Sequence, residues 1–357
     1  MKHQRQSPKT LIKRFLAVAV ACAAAAFGLA ACSSGSNASG SSNELRLGYF
    51  PNITHALPLL GVSNGEYQKA LGDTKLTTQT FNAGPSAVEA VLSGAIDASY
   101  IGPNPAINAY AKSNGSAVRI ISGATSRGAQ FIVNKDVTEN NLKGKTFATP
   151  QLGNTQDVAL RYWLKEKGLS APAQGQGDVN ILPTENAQSL ELFKKGDIDG
   201  AWVPEPWASR LVIEGGGKVL VNEPDLWPNG EFVTTHLLVS TEYLENNPDK
   251  VKALLQGELA VLNQIESDPK ASREAVNKAL DDLTKPLPPQ VLERAWDNLK
   301  VTLDPIASSL KTDQEHAVAV GIADDVDLKG IYDLRILNGL LKDAGKKPVS
   351  AGGLGQE

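Results

Sequence analysis

A chain of 357 residues, 41% hydrophobic and 21% charged, has enough apolar material for one or two domains with sizeable cores. Its formal net charge is −4 and it holds no basic tract, which argues against DNA or RNA as a partner. With only two cysteines, Cys22 and Cys32, the chain has no disulfide framework.

The first 31 residues read as a leader. Lys2, Arg5, Lys9, Lys13 and Arg14 form a basic head, Phe15 to Ala31 an apolar run, and Leu29-Ala30-Ala31-Cys32 a small-residue cut site. That last tetrapeptide resembles the lipobox of bacterial lipoproteins, which implies a lipidated Cys32 as the new N-terminus. The 32–43 stretch is then a flexible tether, because Ser, Gly, Asn and Ala bury little. Two acyl chains would hold such a protein stably at a membrane.

Beyond the tether, strands and helices alternate. Leu45 to Tyr49 predicts a strand, Ala56 or Pro58 to Leu71 a helix, and Lys75 to Phe81 a second strand. Gly84-Pro85-Ser86 is a helix start, with proline at the first helical position. A repeated unit follows. Gly94-Ala95-Ile96-Asp97-Ala98-Ser99-Tyr100-Ile101 returns about a hundred residues later as Gly196-Asp197-Ile198-Asp199-Gly200-Ala201-Trp202-Val203, each followed by Pro-x-Pro. Two copies are too few for a solenoid and imply two similar α/β lobes. Asp97 and Asp199 read as turn-stabilising. Val118 to Ser122, Ala129 to Asn134, Thr146 to Ala148, Val179 to Leu182, Lys218 to Val221 and Phe232 to Ser240 predict further strands. The last of these carries an unusual Thr234-Thr235-His236. After Ser240 the pattern is helical, and the final dozen residues read as frayed. The expected division is 44–132 plus 237–345 for lobe one, 133–236 for lobe two, and 346–357 for the tail. Ala129–Asn134 and Phe232–Ser240 are expected to cross between the lobes, and β-α-β order implies a mostly parallel sheet in each.

No catalytic motif emerges. Of His55, His236 and His316, only His55 sits in a strand-end loop, and no spacing suggests a metal or a cofactor. Binding is better supported. Helices start directly after strand-end loops at Gly84-Pro85-Ser86, Pro103-Asn104-Pro105, Asn154-Thr155-Gln156 and Glu205-Pro206. Helix starts have unpaired N–H groups and a partial positive charge, suited to an anion. Ser86, Asn104, Asn154, Thr155 and Gln156 add neutral donors, and the loops are nearly free of Lys and Arg. Glu205 would repel a bare anion there but suit a ligand carrying a donor or cation. Trp202 is read equally as core or ligand wall, Tyr100 and Trp207 as core.

Asn82-Ala83-Gly84-Pro85-Ser86-Ala87-Val88-Glu89-Ala90, the two Gly-x-Ile-Asp units, Asn141-Leu142-Lys143-Gly144-Lys145 and Trp202-Val203-Pro204-Glu205-Pro206-Trp207 together resemble the nitrate/sulfonate/taurine group of solute-binding proteins from ABC importers. The resemblance implies a type II periplasmic-binding fold: two α/β lobes joined by two crossing strands, with a helical C-terminal segment. It implies a lipid-anchored monomer on the extracytoplasmic face of the bacterial membrane, serving a permease with its ATPase. The family's ligand loops fall at Asn52–His55, Ala83–Ser86, Gly102–Asn104, Gln151–Gln156 and Trp202–Glu205, which makes Asn52, His55, Gly84, Ser86, Gly102, Asn104, Gln151, Asn154, Thr155, Gln156, Trp202 and Glu205 the expected ligand-binding residues. An aliphatic sulfonate with its tail on Trp202 is the first expectation, with taurine or nitrate next. An extracytoplasmic sensor and a binder of a thiamine-pyrimidine precursor are the alternatives.

Overall fold

The computed structural model describes residues 43–357. The leader, Cys32 and all of the tether except Asn43 lie outside the described residues. No described helix is long and apolar enough to cross a membrane.

Strands and helices alternate first. The order is β1 (Glu44–Tyr49), α1 (Ala56–Ser63), α2 (Glu66–Leu71), β2 (Lys75–Thr80), α3 (Gly84–Leu92), β3 (Ala98–Ile101), α4 (Pro103–Lys112) and β4 (Val118–Arg127). Then come β5 (Ala129–Val133), β6 (Thr146–Thr149), α5 (Thr155–Glu166), β7 (Asn180–Pro183), α6 (Asn186–Lys195), β8 (Gly200–Pro204), α7 (Trp207–Ile213), β9 (Lys218–Asn222) and β10 (Val233–Ser240). The rest is mainly helical: α8 (Thr241–Asn246), α9 (Pro248–Ser267), α10 (Pro269–Leu283), α11 (Pro289–Asp297), β11 (Leu299–Val301), α12 (Ala307–Ala319), β12 (Tyr332–Asp333), α13 (Arg335–Asp343) and β13 (Gly355–Gln356).

Two sheets result, β13-β12-β4-β10-β3-β1-β2 with β11 also on β4, and β7-β6-β8-β5-β9. They share a plan. β2-β1-β3 and β7-β6-β8 are parallel trios, and each is joined at β3 or β8 by one antiparallel strand, β10 or β5. Those joining strands arrive from the other sheet, so they enter from the end at which the trio stops. This makes both sheets mixed rather than mostly parallel.

The repeated unit supplies β3 and β8. Asp97 accepts a hydrogen bond from the Arg46 backbone N–H at 2.8 Å, and Asp199 accepts one from Thr146 N–H at 2.8 Å. Each aspartate thus ties its strand to the central strand of its trio. The aromatics of the two copies are also equivalent. Tyr100 donates to the buried Glu258 at 2.9 Å, and Trp202 Nε1 donates to the buried Glu223 at 2.6 Å. Period-two alternation splits the second sheet's core. Phe131, Phe147 and Trp202 pack on one face, with rings 4.9 and 5.4 Å from Phe131, while Ile132, Ala201 and Val203 face the other.

Several expectations change. The first predicted helix is two, since Gly65 at φ 79° interrupts it. The strand at Val118 runs on to Arg127. The lobe limits also shift: β5 belongs wholly to the second sheet and β10 wholly to the first. The chain therefore crosses before these strands, at Arg127–Gly128 with φ of 65° and 76°, and again between β9 and β10. Nor is the tail frayed. Gly355–Gln356 pair with Tyr332–Asp333, Leu334 N–H donates to Gln356 O at 2.8 Å, and Ala351 is fully buried.

Candidate functional site

Four helix starts drawn from both sheets meet at one cavity of about 20 Å³. Ala83 and Gly102, which precede α3 and α4, line it from the first sheet. Asn154, Thr155 and Gln156 at the start of α5 and Asn186 at the start of α6 line it from the second. The first N–H groups of each helix have no partner within their own helix. Phe50, Asn52, Thr54, His55 and Asn82 close the first-sheet side, Pro150 and Pro204 the second, and Thr234 and Thr235 the floor at the second crossing.

Among these residues there is no Lys, Arg, Asp or Glu. His55 is the one titratable side chain, and it is neutral, because complete burial lowers its pKa to about 3. Its Nδ1 accepts from Phe50 N–H at 3.3 Å, so the proton lies on Nε2. Thr155 Oγ1 and Asn186 Oδ1 are buried with no hydrogen-bond partner among the described residues. Buried polar groups are ordinarily paired, so these two mark a place for something to be bound.

The two sides already touch. Asn154 Oδ1 accepts from Gly84 N–H at 3.2 Å, Trp207 Nε1 donates to Asn52 Oδ1 at 2.8 Å, and Asn82 Nδ2 donates to Glu185 Oε1 at 2.8 Å. Asn154 is thus no ordinary cap: its Oδ1 accepts across the cleft and not from the backbone of its own helix, while its amide donates to Gln156 Oε1 at 3.0 Å. A Cβ on Gly102 would lie 2.5 Å from Thr155 Oγ1, so glycine is what permits this approach.

Of the expected site residues, Asn52, His55, Gly102, Asn154, Thr155 and Gln156 come together around the cavity. Gly84 stands beside it through its backbone N–H. The others do not. Ser86 is exposed on α3, and Gln151 lies outside the lining. Asn104 is buried, with its amide donating to Asp313 O at 3.0 Å, away from the cavity. Trp202 is core, as its bond to Glu223 requires, and carries no ligand tail. Glu205 is fully buried and turned towards α11. Its oxygens accept from Arg294 at 3.1 Å, Asn298 at 2.7 Å and Ser209 N–H at 3.0 Å. Burial still raises its pKa, against the pull of those donors. Neither Asn104 nor Glu205 therefore faces the cavity.

The lining residues outside the expected loops are Phe50, Asn82, Pro150, Asn186, Thr234 and Thr235. Asn186 had a signal: Thr184-Glu185-Asn186 is a further helix start after a strand. The Thr234-Thr235 pair was conspicuous in sequence, but only the crossing explains it.

Several known proteins similar to this chain are named for the solutes they bind. An Escherichia coli (strain K12) protein named for binding aliphatic sulfonates is 26% identical over 284 residues, 78% of this chain and 83% of that protein. The alkanesulfonate-binding protein SsuA of Xanthomonas axonopodis pv. citri, solved with MOPS, superposes with a TM-score of 0.65 at 23% identity, covering 79% of this chain and 95% of that one. The periplasmic nitrate-binding protein NrtA of Synechocystis PCC 6803 gives 0.67 at 16% identity, covering 79% and 82%. These likenesses give the periplasmic-binding fold, in agreement with the two mixed sheets. A family model described as NMT1-like matches residues 38–280, and the chain belongs to the NMT1-like family.

Proposed function

We propose that this chain is the substrate-binding component of an ABC importer, which captures a small oxyanion-type solute between two closing lobes and hands it to a permease. The observation that carries this reading is the convergence of four helix starts from both sheets on a cavity with no ionised side chain. Such a site holds negative charge through backbone dipoles and neutral donors, with His55 Nε2–H among them. An aliphatic sulfonate remains the first choice of ligand, supported by the names of the aliphatic-sulfonates and alkanesulfonate-binding relatives. With Trp202 in the core, the apolar part of the ligand would rest on Phe50, Pro150 and Pro204. Binding and release, not turnover, is the chemistry such a set of residues supports. The lobes would be the two sheets with their helices, hinged at Arg127–Gly128 and at the segment before β10. Lipidation at Cys32 would tether the protein to the extracytoplasmic face of the membrane.

A thermal-shift and calorimetric panel on protein lacking residues 1–32 tests the reading, using alkanesulfonates, nitrate, bicarbonate and a thiamine pyrimidine. A ligand at a hundred times its Kd is expected to stabilise the fold by about 2.7 kcal/mol. A shift with the pyrimidine and none with any oxyanion would overturn the assignment. Replacing Gly102 by alanine is expected to weaken the bound oxyanion about tenfold, since the methyl group opposes closure against Thr155. Its own backbone, at φ −73°, accepts alanine, so the unliganded fold should keep its stability; unchanged affinity would remove this contact from the closure mechanism. In cells, Cys32→Ala is expected to move the protein from the membrane fraction to the soluble one, and continued tight anchoring would refute lipidation at that position.

A further inference from the structure

A second, outer cavity of about 40 Å³ adjoins the first. The two share Asn52, Asn82 and Asn186, so they are neighbouring compartments and not separate sites. Their chemistry differs. The outer one is walled by Phe81, Pro51 and Trp207, and Glu185 is the one acidic or basic residue in its lining. Glu185 Oε1 accepts from Asn82, and its Oε2 has no partner among the described residues. Asn186 Oδ1, which belongs to a residue 6% exposed and lining both compartments, is likewise an acceptor with nothing donating to it. The Trp207–Asn52 hydrogen bond of 2.8 Å spans the cleft at this compartment.

We propose that the outer compartment recognises a cationic group, carried on a short linker from the anionic head, and that Glu185 is the residue selecting for it. This rests on the inner cavity being the oxyanion site. A bare anion would gain from the helix starts but bring its charge towards the Glu185 carboxylate. A zwitterion satisfies both compartments: its oxyanion meets N–H donors, and its ammonium meets the carboxylate and the unpaired amide oxygen of Asn186. Three shared lining residues limit the linker to a few bonds. Trp207, closing on Asn52, limits how far the cationic end extends.

The test compares isosteres that differ only in the terminal group: taurine against 1-propanesulfonate, and β-alanine against butanoate. Calorimetry on the wild-type protein should show the ammonium member of a pair bound about two- to fivefold more tightly, the scale of a partly exposed ion pair. Glu185→Gln keeps the acceptor for Asn82 and removes the charge, and Glu185 makes no side-chain cap that the change could break. The variant should lose the preference while retaining its melting temperature. Equal binding within each pair by the wild type, or an unchanged preference in Glu185→Gln, would overturn the proposal. Sulfonates bound without preference would overturn the role of Glu185 and leave the oxyanion reading standing. A preference in the carboxylate pair with neither sulfonate bound would keep Glu185 and remove sulfonate as the head group. No binding of any member would overturn both.

Discussion

Replacing Arg161 by methionine is expected to lower the unfolding free energy by about 3–5 kcal/mol. Arg161 and Asp157 form an ion pair at 3.0 Å on α5, with side chains only 2% and 0% exposed. Asp157 also accepts from Thr149 Oγ1 at 2.9 Å and Gly153 N–H at 3.0 Å, which braces the loop leading into α5. Removing the guanidinium leaves a carboxylate in the interior without its counter-charge, and that is the costly half of a buried pair. The double variant Asp157→Asn with Arg161→Met should recover much of the loss, because no uncompensated charge then remains. Urea unfolding of the three proteins measures this, and a single-variant loss below about 1 kcal/mol would show the pair to be dispensable. The Arg161→Met variant should also weaken ligand binding, since Asn154 ends the braced loop and Thr155 and Gln156 open the helix it leads into.

The second large effect is on pH. Burial raises the carboxyl pKa of Glu223 to about 7 and that of Glu258 to about 8. Among the described residues neither is paired with a Lys or Arg, and both bind the aromatic of a repeated unit. Between pH 6.5 and 8 the unfolded chain has these carboxyls ionised while the folded chain still holds protons. The folded state therefore binds more protons, and stability falls as pH rises, by about 2–3 kcal/mol over that interval. The buried histidines act in the opposite direction. His55 and His236, lowered to about 3 and 4, contribute stability that is complete above an unfolded pKa of 6.5 and is lost as pH falls towards those values. Between about pH 4.5 and 6.5 the two sets oppose one another, which places the stability plateau there. Denaturation at pH 6.5 and 8 should show the alkaline loss, and Glu258→Gln should remove more than half of it. Stability that is flat or rising across that interval would refute the assignment. Ligand affinity should be insensitive to pH 5–8 as far as His55 is concerned, because it stays neutral throughout.

The two kinds of carboxyl show what local reading can and cannot reach. Asp97 and Asp199 were legible as scaffold, since each sits between a helix stop and a strand and its partner is the neighbouring strand's backbone. Glu205 was not. Its motif placed it beside the cleft, but its counter-charge, Arg294, lies 89 residues on, in a helix whose position no nearby residue specifies. Trp202 fails in the same way: alternation along β8 shows that Trp202 and Val203 face opposite sides, but not which side carries Glu223.

What the amino-acid sequence determined by itself was the alternation of strands and helices, the repeated unit, and the helix starts at Gly84, Gly102, Asn154 and their like. Proline, glycine and asparagine punctuate the chain locally, so each start depends only on its immediate neighbours. Tertiary structure decided which starts share a cavity, that Asn154 bonds across to Gly84, and that Glu205 is locked under α11 while Glu185 stands open at the mouth. Those outcomes depend on the antiparallel entry of β5 and β10, which sets the two sheets end to end and brings residues a hundred positions apart within hydrogen-bonding distance.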